Sequence, residues 1–268
     1  MKPKVAASME KEHALGSILQ KSIKSDLDVA RGISIIEDLG IDTSTIEELA
    51  ESPFLGNSFC VGITGAPGVG KSTFINKLIS TQDFGIHKVA VLAIDPSSRI
   101  TKGAVLGDRI RITHNSVFEE IYFRSLATRG AYGGLSNAIE PILYFLTHCG
   151  FTLVLIETVG VGQNEVEIAE FADVVIQVLD SNAGDDIQME KAGLMEVSHI
   201  FFVNIRDGQI DNQFVSNLKS FTSYSSMSPD NKPKVVVGSA LTGDGFAEIS
   251  IHLKTFTNYF ESDGEKAK

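Results

Sequence analysis

The chain has 268 residues, 43 % of them hydrophobic, so it can bury a sizeable core, and its length suits one α/β domain with additions better than two independent domains. Thirty-four acidic against 23 basic residues give a net charge of −11 with no Lys/Arg stripe, which speaks against a nucleic-acid backbone as partner. Two distant cysteines, Cys60 and Cys149, with no C-x-x-C, argue for a reducing compartment and against a cysteine-held metal.

The opening MKPKVAASMEKEHALGS carries charges but no apolar run, and no segment reaches the roughly 20 apolar residues of a membrane span, so the expectation is a soluble, cytoplasmic chain with no membrane partner. Between residues 9 and 52, Leu15, Ile18, Leu19, Ile23, Leu27, Ala30, Ile33 and Ile36 recur at three- and four-residue spacing, which predicts amphipathic helices. This gives an α-helical N-terminal extension over 1–54. From about residue 58 the pattern changes to short apolar runs separated by helical stretches: SFCVGIT, HKVAVLAID, EIYFRS, FTLVLIE, DVVIQVLD, HIFFVN and PKVVVGS. Uniform runs of Val, Ile, Leu and Phe are what strands covered on both faces look like, and the intervals are long enough for helical crossovers. The predicted fold is therefore α/β: a mostly parallel sheet with helices on both faces, over 55–260. The Ser-rich segment 220–233 reads as a loop, and the end, ESDGEKAK over 261–268, as a disordered tail.

Gly65-Ala66-Pro67-Gly68-Val69-Gly70-Lys71-Ser72 fits G-x-x-x-x-G-K-[ST], with Thr73 following, and stands between a predicted strand and a predicted helix. Small residues let successive backbone N–H groups face phosphates, and the helix dipole favours their charge. Lys71 can reach the β- and γ-phosphates, and Ser72 can offer a hydroxyl to Mg²⁺. Glu157-Thr158-Val159-Gly160 follows the run FTLVLI and occupies the place of a second phosphate-side motif, whose acid orders the metal's waters and whose Gly160 N–H can meet the γ-phosphate. Val161 stands where Ras-like GTPases place their water-orienting glutamine, so hydrolysis by the chain alone should be slow. Asp95, at the end of VAVLAID, and Asp108, within AVLGDRIRI, are further candidate metal ligands. Asp95-Pro96-Ser97-Ser98 also fits a plain Asx-type turn, and Asp108 also fits an ion pair with Arg109 or Arg111.

HIFFVNIRDG, residues 199–208, is an apolar run ending in N-x-x-D, with Asn204 and Asp207 as the fixed positions, and Ser239-Ala240-Leu241 follows the last run. An aspartate at such a turn can accept both the N1–H and the exocyclic N2 hydrogens of guanine, whereas adenine offers no such pair. Isolated N-x-x-D turns are common; the order of phosphate loop, ExxG, N-x-x-D and SAL is that of a GTPase.

Together these residues resemble the MeaB/ArgK family, SIMIBI-class GTPases that chaperone methylmalonyl-CoA mutase and related cobalamin enzymes. The likeness covers roughly residues 55–250 and rests on GITGAPGVGKST, VLAIDPSS, GAVLGDRIRI, FRSLATRGAYGGLS, LIETVGVGQNEVEIAEFAD, NAGDDIQMEKAG and SALTGDG. It implies a P-loop GTPase that binds GTP or GDP with Mg²⁺, docks on a cobalamin-dependent acyl-CoA mutase and assists its assembly or protection. In that reading Lys71 and Ser72 take the phosphate and metal roles, and Asp95, Asp108 and Glu157 line the metal and hydrolysis site. Asn204, Asp207, Ser239, Ala240 and Leu241 hold guanine. The loop matching 182–193 acts as a further switch, with Lys191 on the family's functional lysine, although Lys191 also fits an ordinary solvated lysine.

Two features depart from the family pattern. Ile205 replaces the lysine of N-K-x-D, whose stem packs along the base and whose ammonium reaches back to the phosphate loop, so the expectation is weaker GTP binding with guanine selectivity kept by Asp207, and tighter GDP binding in Ile205→Lys. Relatives continue into a helical dimerisation arm beyond the point where this sequence stops at Lys268, which puts the family's homodimer in question. Three other readings stay open. One is an ATP-dependent small-molecule kinase, suggested by the family's old label of arginine/ornithine transport kinase. Another is a nickel-delivery GTPase, which would need a ligand cluster that the scattered His13, His87, His114, His148, His199 and His252 do not form. The third is a degenerate nucleotide-binding regulator.

Overall fold

The computed structural model describes residues 3–21, 25–50, 58–81, 88–95, 120–127, 136–158, 164–181, 192–206, 208–224 and 232–266. Three helices come first: α1 (Pro3–Leu19), α2 (Asp26–Leu39) and α3 (Thr43–Ala50). Ser25 starts α2 with a capping box, its hydroxyl accepting from the Asp28 N–H, and Gly40 ends it in the left-handed conformation at φ 62°. The seven apolar runs all form strands: β1 (Phe59–Thr64), β2 (Lys88–Asp95), β3 (Glu120–Ala127), β4 (Leu153–Thr158), β5 (Val174–Asp180), β6 (Ile200–Asn204) and β7 (Lys234–Gly238). Between and after them lie α4 (Lys71–Thr81), α5 (Ser136–His148), α6 (Asn164–Glu167), a 3₁₀ turn at Ile168–Glu170, α7 (Ala192–Val197), α8 (Asn212–Tyr224) and α9 (Phe246–Lys266).

The strands form one seven-stranded sheet in the order β3-β2-β4-β1-β5-β6-β7, and every pairing is parallel. Alternate residues of each strand divide the core between two faces. On one face Cys60, Ala90, Leu92, Val154, Ile156 and Val175 pack with Leu15, Ile18, Val29, Ile33, Ile36 and Ile46 of the N-terminal helices and with Phe145 of α5. The N-terminal helices thus share a core with the sheet. Arg124 of β3 adds a 3.0 Å ion pair to Glu37 and a 2.9 Å hydrogen bond to the Ser34 hydroxyl, both on α2. On the other face Val61, Ile63, Val91, Leu155, Ile176 and Phe202 pack with Phe74 and Leu78 of α4 and with Phe246, Ile249 and Leu253 of α9. Phe74, Phe202 and Phe246 meet with ring centroids 4.8–5.5 Å apart.

The structure corrects three sequence expectations. Leu27 faces solvent at 78 % exposure, because the apolar stripe of α2 runs through Val29, Ile33 and Ile36. Residues 220–224 are helical, completing α8, where Phe214, Val215 and Leu218 pack against Phe201 and Val203 and their periodicity overrides the serine content. The expected tail is helical as far as Lys266, since α9 is anchored on the sheet and extension then adds one hydrogen bond per residue.

Because all strands are parallel, their carboxyl ends lie along one edge. β2, β3 and β4 lie on one side of β1, and β5, β6 and β7 on the other. Chain connections therefore diverge at β1, and the crevice outside its carboxyl end is where open α/β sheets bind ligands.

Candidate functional site

The phosphate-loop motif leaves β1 at Thr64 and enters α4 at Lys71. Gly65, Gly68 and Gly70 have φ of 139°, 75° and 104°, values that L side chains rarely adopt. Gly65 and Gly70 are also required by close approach. A Cβ on Gly65 would stand 2.2 Å from the Val178 carbonyl oxygen, and one on Gly70 would stand 2.6 Å from Asn204 Nδ2. Lys71 is buried at 6 % exposure, and its ammonium donates to the carbonyls of Gly65 at 2.7 Å and Ala66 at 2.9 Å. These bonds offset the desolvation of a buried charge and keep the ammonium inside the loop it closes. The loop runs straight into the N-terminus of α4, where the helix dipole favours negative charge.

Ser72 opens α4 beside the end of β4. Its hydroxyl donates to Glu157 Oε1 at 2.6 Å, and Glu157 is buried at 6 % exposure. Ile63 and Glu157 are register partners in β1 and β4, so pairing of the two strands brings this acid to the loop. Below it, Thr158 donates its hydroxyl to that of Thr64 at 3.1 Å, tying the two strand ends together. A hydroxyl and a carboxylate in contact at a phosphate-binding loop form a hard-oxygen donor set, which fits Mg²⁺ completed by phosphate oxygens and water. Asp95 closes β2 at the same sheet edge, one residue beyond the register pair of Ile94 with Thr158.

Asn204, the last residue of β6, is 3 % exposed. Its Nδ2 donates to the Val69 carbonyl in the phosphate loop at 2.8 Å, and its Oδ1 accepts from the Ala240 N–H at 3.0 Å. A carbonyl can only accept and an N–H only donate, so the amide orientation follows from its partners. Asn204 therefore clips the phosphate loop to the Ser239-Ala240-Leu241 turn. Ser239 and Ala240 are buried at 8 % and 2 % exposure, while Leu241 is 69 % exposed at the rim. The Gly243 N–H donates to the Ser239 carbonyl at 2.8 Å and closes that turn.

Ile205 is half-buried, and its N–H donates to the Gly238 carbonyl at 2.7 Å. A cation of this turn does reach the phosphate loop, from the residue after Ile205. Arg206 Nη1 donates to the Gly68 carbonyl at 3.0 Å and pairs with Asp180 Oδ2 of β5 at 3.3 Å.

Lys71, Ser72, Glu157, Asn204 and the Ser239 turn come together around the phosphate loop. Asp108, Gly160, Lys191 and Asp207, together with Val161 and the side chain of Asp95, lie outside the described residues. Sequence reasoning missed Arg206, Asp180 and the Thr64–Thr158 bond. Arg206 was findable in principle, as the one long cation within N-x-x-D, but its partner lies 138 residues away in sequence.

Residues 30–268 match the family described as Methylmalonyl Co-A mutase-associated GTPase MeaB. A Pyrococcus horikoshii protein that bears a GTPase name is 38 % identical over 245 residues, which cover 90 % of this chain and 76 % of that one. The Mus musculus protein named methylmalonic aciduria type A homolog, mitochondrial, is 34 % identical over 220 residues, or 78 % of this chain and 52 % of that one. A crystal structure described as LAO/AO transport system kinase superposes with a TM-score of 0.63 at 26 % identity, covering 97 % of this chain and 78 % of that one.

Proposed function

The chain belongs to the MeaB family of P-loop GTPases, and from that premise we propose that its GTP cycle, run with Mg²⁺, serves the assembly or protection of a cobalamin-dependent acyl-CoA mutase of the methylmalonyl-CoA type. The observation that carries the nucleotide part is the position of Asn204, whose one buried amide holds both the phosphate loop and the Ser239 turn. The family's description carries the mutase.

In this reading the loop 65–72 cradles the phosphates with backbone N–H groups, and Lys71 lies within reach of the β–γ bridge. Ser72 and Glu157 would hold Mg²⁺, with Asp95 and Asp108 as the further acids of the site. Bound there, the metal would supply charge neutralisation at the transferred phosphoryl group. Asn204 positions the base-reading turn, Asp207 accepts from guanine N1 and N2, and the backbone of Ser239, Ala240 and Leu241 closes around the base. The Gly160 N–H meets the γ-phosphate, and Lys191 answers to the partner as part of a switch. With Val161 in the water-orienting place, turnover is slow until the mutase completes the site.

The test is displacement of fluorescent GDP by GTP and ATP, followed by GTP turnover with and without purified methylmalonyl-CoA mutase. Displacement by GTP alone and faster turnover with the mutase are expected. Equal displacement by ATP would overturn the guanine assignment in favour of a kinase, and turnover unaffected by a mutase that forms no complex would overturn the chaperone assignment.

A further inference from the structure

The turn after β6 lacks the lysine that would brace it against the phosphate loop, yet a brace is present. Arg206 leaves the turn one position later, and its Nη1 donates both to the carbonyl of Gly68 at 3.0 Å and to Asp180 Oδ2 at 3.3 Å. Asp180 is the register partner of Asn204 across β5 and β6, so the guanidinium joins three consecutive parts of one rim: the end of β5, the turn after β6 and the phosphate loop. Asn204 contacts Val69 on the same loop, so neighbouring carbonyls, of Gly68 and Val69, are held by neighbouring parts of one turn.

We propose that Arg206 is a positioning residue for the nucleotide, doing from the third place of N-x-x-D what a lysine would do from the second. It fixes the distance between the element that reads the base and the element that holds the phosphates. The chemistry supports the substitution. Nη1 carries two N–H groups fixed in the guanidinium plane, so this one atom can serve the Gly68 carbonyl and the Asp180 carboxylate together, which a freely rotating lysine ammonium at position 205 would do less directionally. Ile205, freed of that task, is half-buried and keeps its backbone bond to Gly238. The side chain of Arg206 is 47 % exposed, so its loss leaves the core intact and acts on the site.

The inference rests on the guanine-nucleotide reading, and the experiment separates the two. Affinities for GDP and ADP are measured by calorimetry on the wild-type chain, Arg206→Ala, Ile205→Lys and the double variant I205K/R206A, with thermal unfolding of each protein. A wild-type chain that does not prefer GDP to ADP overturns the guanine reading itself. Given that preference, Arg206→Ala is expected to weaken GDP about five- to tenfold, the loss of a charge-assisted hydrogen bond at a half-exposed site, with little change in unfolding temperature. Ile205→Lys in the wild-type background is expected to change affinity less than about twofold, because its place is already served. In the Arg206→Ala background the same lysine should recover most of the loss, a rescue that general destabilisation would not produce. Arg206→Ala binding GDP as tightly as wild type, or Ile205→Lys alone tightening it fivefold or more, overturns the proposal while leaving the guanine reading standing.

Discussion

Replacing Asn204 by alanine removes two hydrogen bonds whose other partners stay buried: the Val69 carbonyl, on a residue 3 % exposed, and the Ala240 N–H, on a residue 2 % exposed. A buried polar group left without a partner costs about 1–3 kcal/mol, so two would give about 2–6 kcal/mol. The amide lies against Gly70, which has no side chain, so truncation opens room beside a polar loop and a water can satisfy part of the debt. That puts the expected loss at about 2–4 kcal/mol, a large share of the roughly 5–15 kcal/mol that keeps a domain folded. Equilibrium urea unfolding measures it, read from the midpoint at unchanged slope. Asn204→Asp separates the two halves. It keeps the acceptor for Ala240 but sets an anion against the Val69 carbonyl, which raises the carboxyl pKa in the folded state. The penalty is therefore full above that raised pKa and shrinks as the pH falls through it, because the protonated acid can donate to Val69. A loss below about 0.5 kcal/mol in both variants would refute the assignment of Asn204 as the clip between the two loops.

At the catalytic edge, Glu157→Gln is expected to lower Mg²⁺ affinity or GTP turnover about 10- to 100-fold, with Ser72→Ala acting in the same direction, both read by Mg²⁺ titration of the hydrolysis rate. His199 accepts the Val175 N–H at 3.1 Å through Nδ1, and burial holds its pKa below 6.5, so it is neutral in the fold and charges readily once unfolded. Stability should therefore be full above the unfolded value near 6.5 and fall as the pH drops through it, and His199→Phe should flatten that part of a urea-midpoint profile. Gly32→Ala on α2 would set a Cβ 2.2 Å from Cζ of the buried Phe145, so an overpacking loss of about 1–3 kcal/mol is expected in thermal unfolding, with GDP affinity unchanged. Burial pushes the Cys60 thiol up to about 12, so iodoacetamide at pH 8 should leave it unmodified in the native protein, as peptide mass mapping would show.

The seven strands were legible because each is a short run of Val, Ile, Leu and Phe bounded by polar residues, and a strand buried on both faces needs little else. The phosphate loop was legible for a related reason. Its glycines, Lys71 and Ser72 act within one turn, so their spacing is itself the geometry. Asn204 was visible only as half of a short pattern. Its significance came from motif order, and its actual partners, Val69 and Ala240, are 135 and 36 residues away. The serine-rich stretch after residue 219 misled because composition counts side chains, whereas α8 is decided by the few apolar ones that reach the sheet.

The family of the chain, its alternation of strands and helices and the residues of its phosphate loop follow from the sequence alone, because each rests on local periodicity or on spacing inside one turn. The strand order, the sharing of one sheet face with the N-terminal helices, the contact of Ser72 with Glu157 and the brace from Arg206 to Gly68 were decided only in the tertiary structure. Each of these joins groups from distant parts of the chain, and which groups meet is set by how the helices and strands pack. An isoleucine in place of a lysine therefore read as a defect in the sequence, whereas the fold sets the cation of the next residue, Arg206, against the phosphate loop.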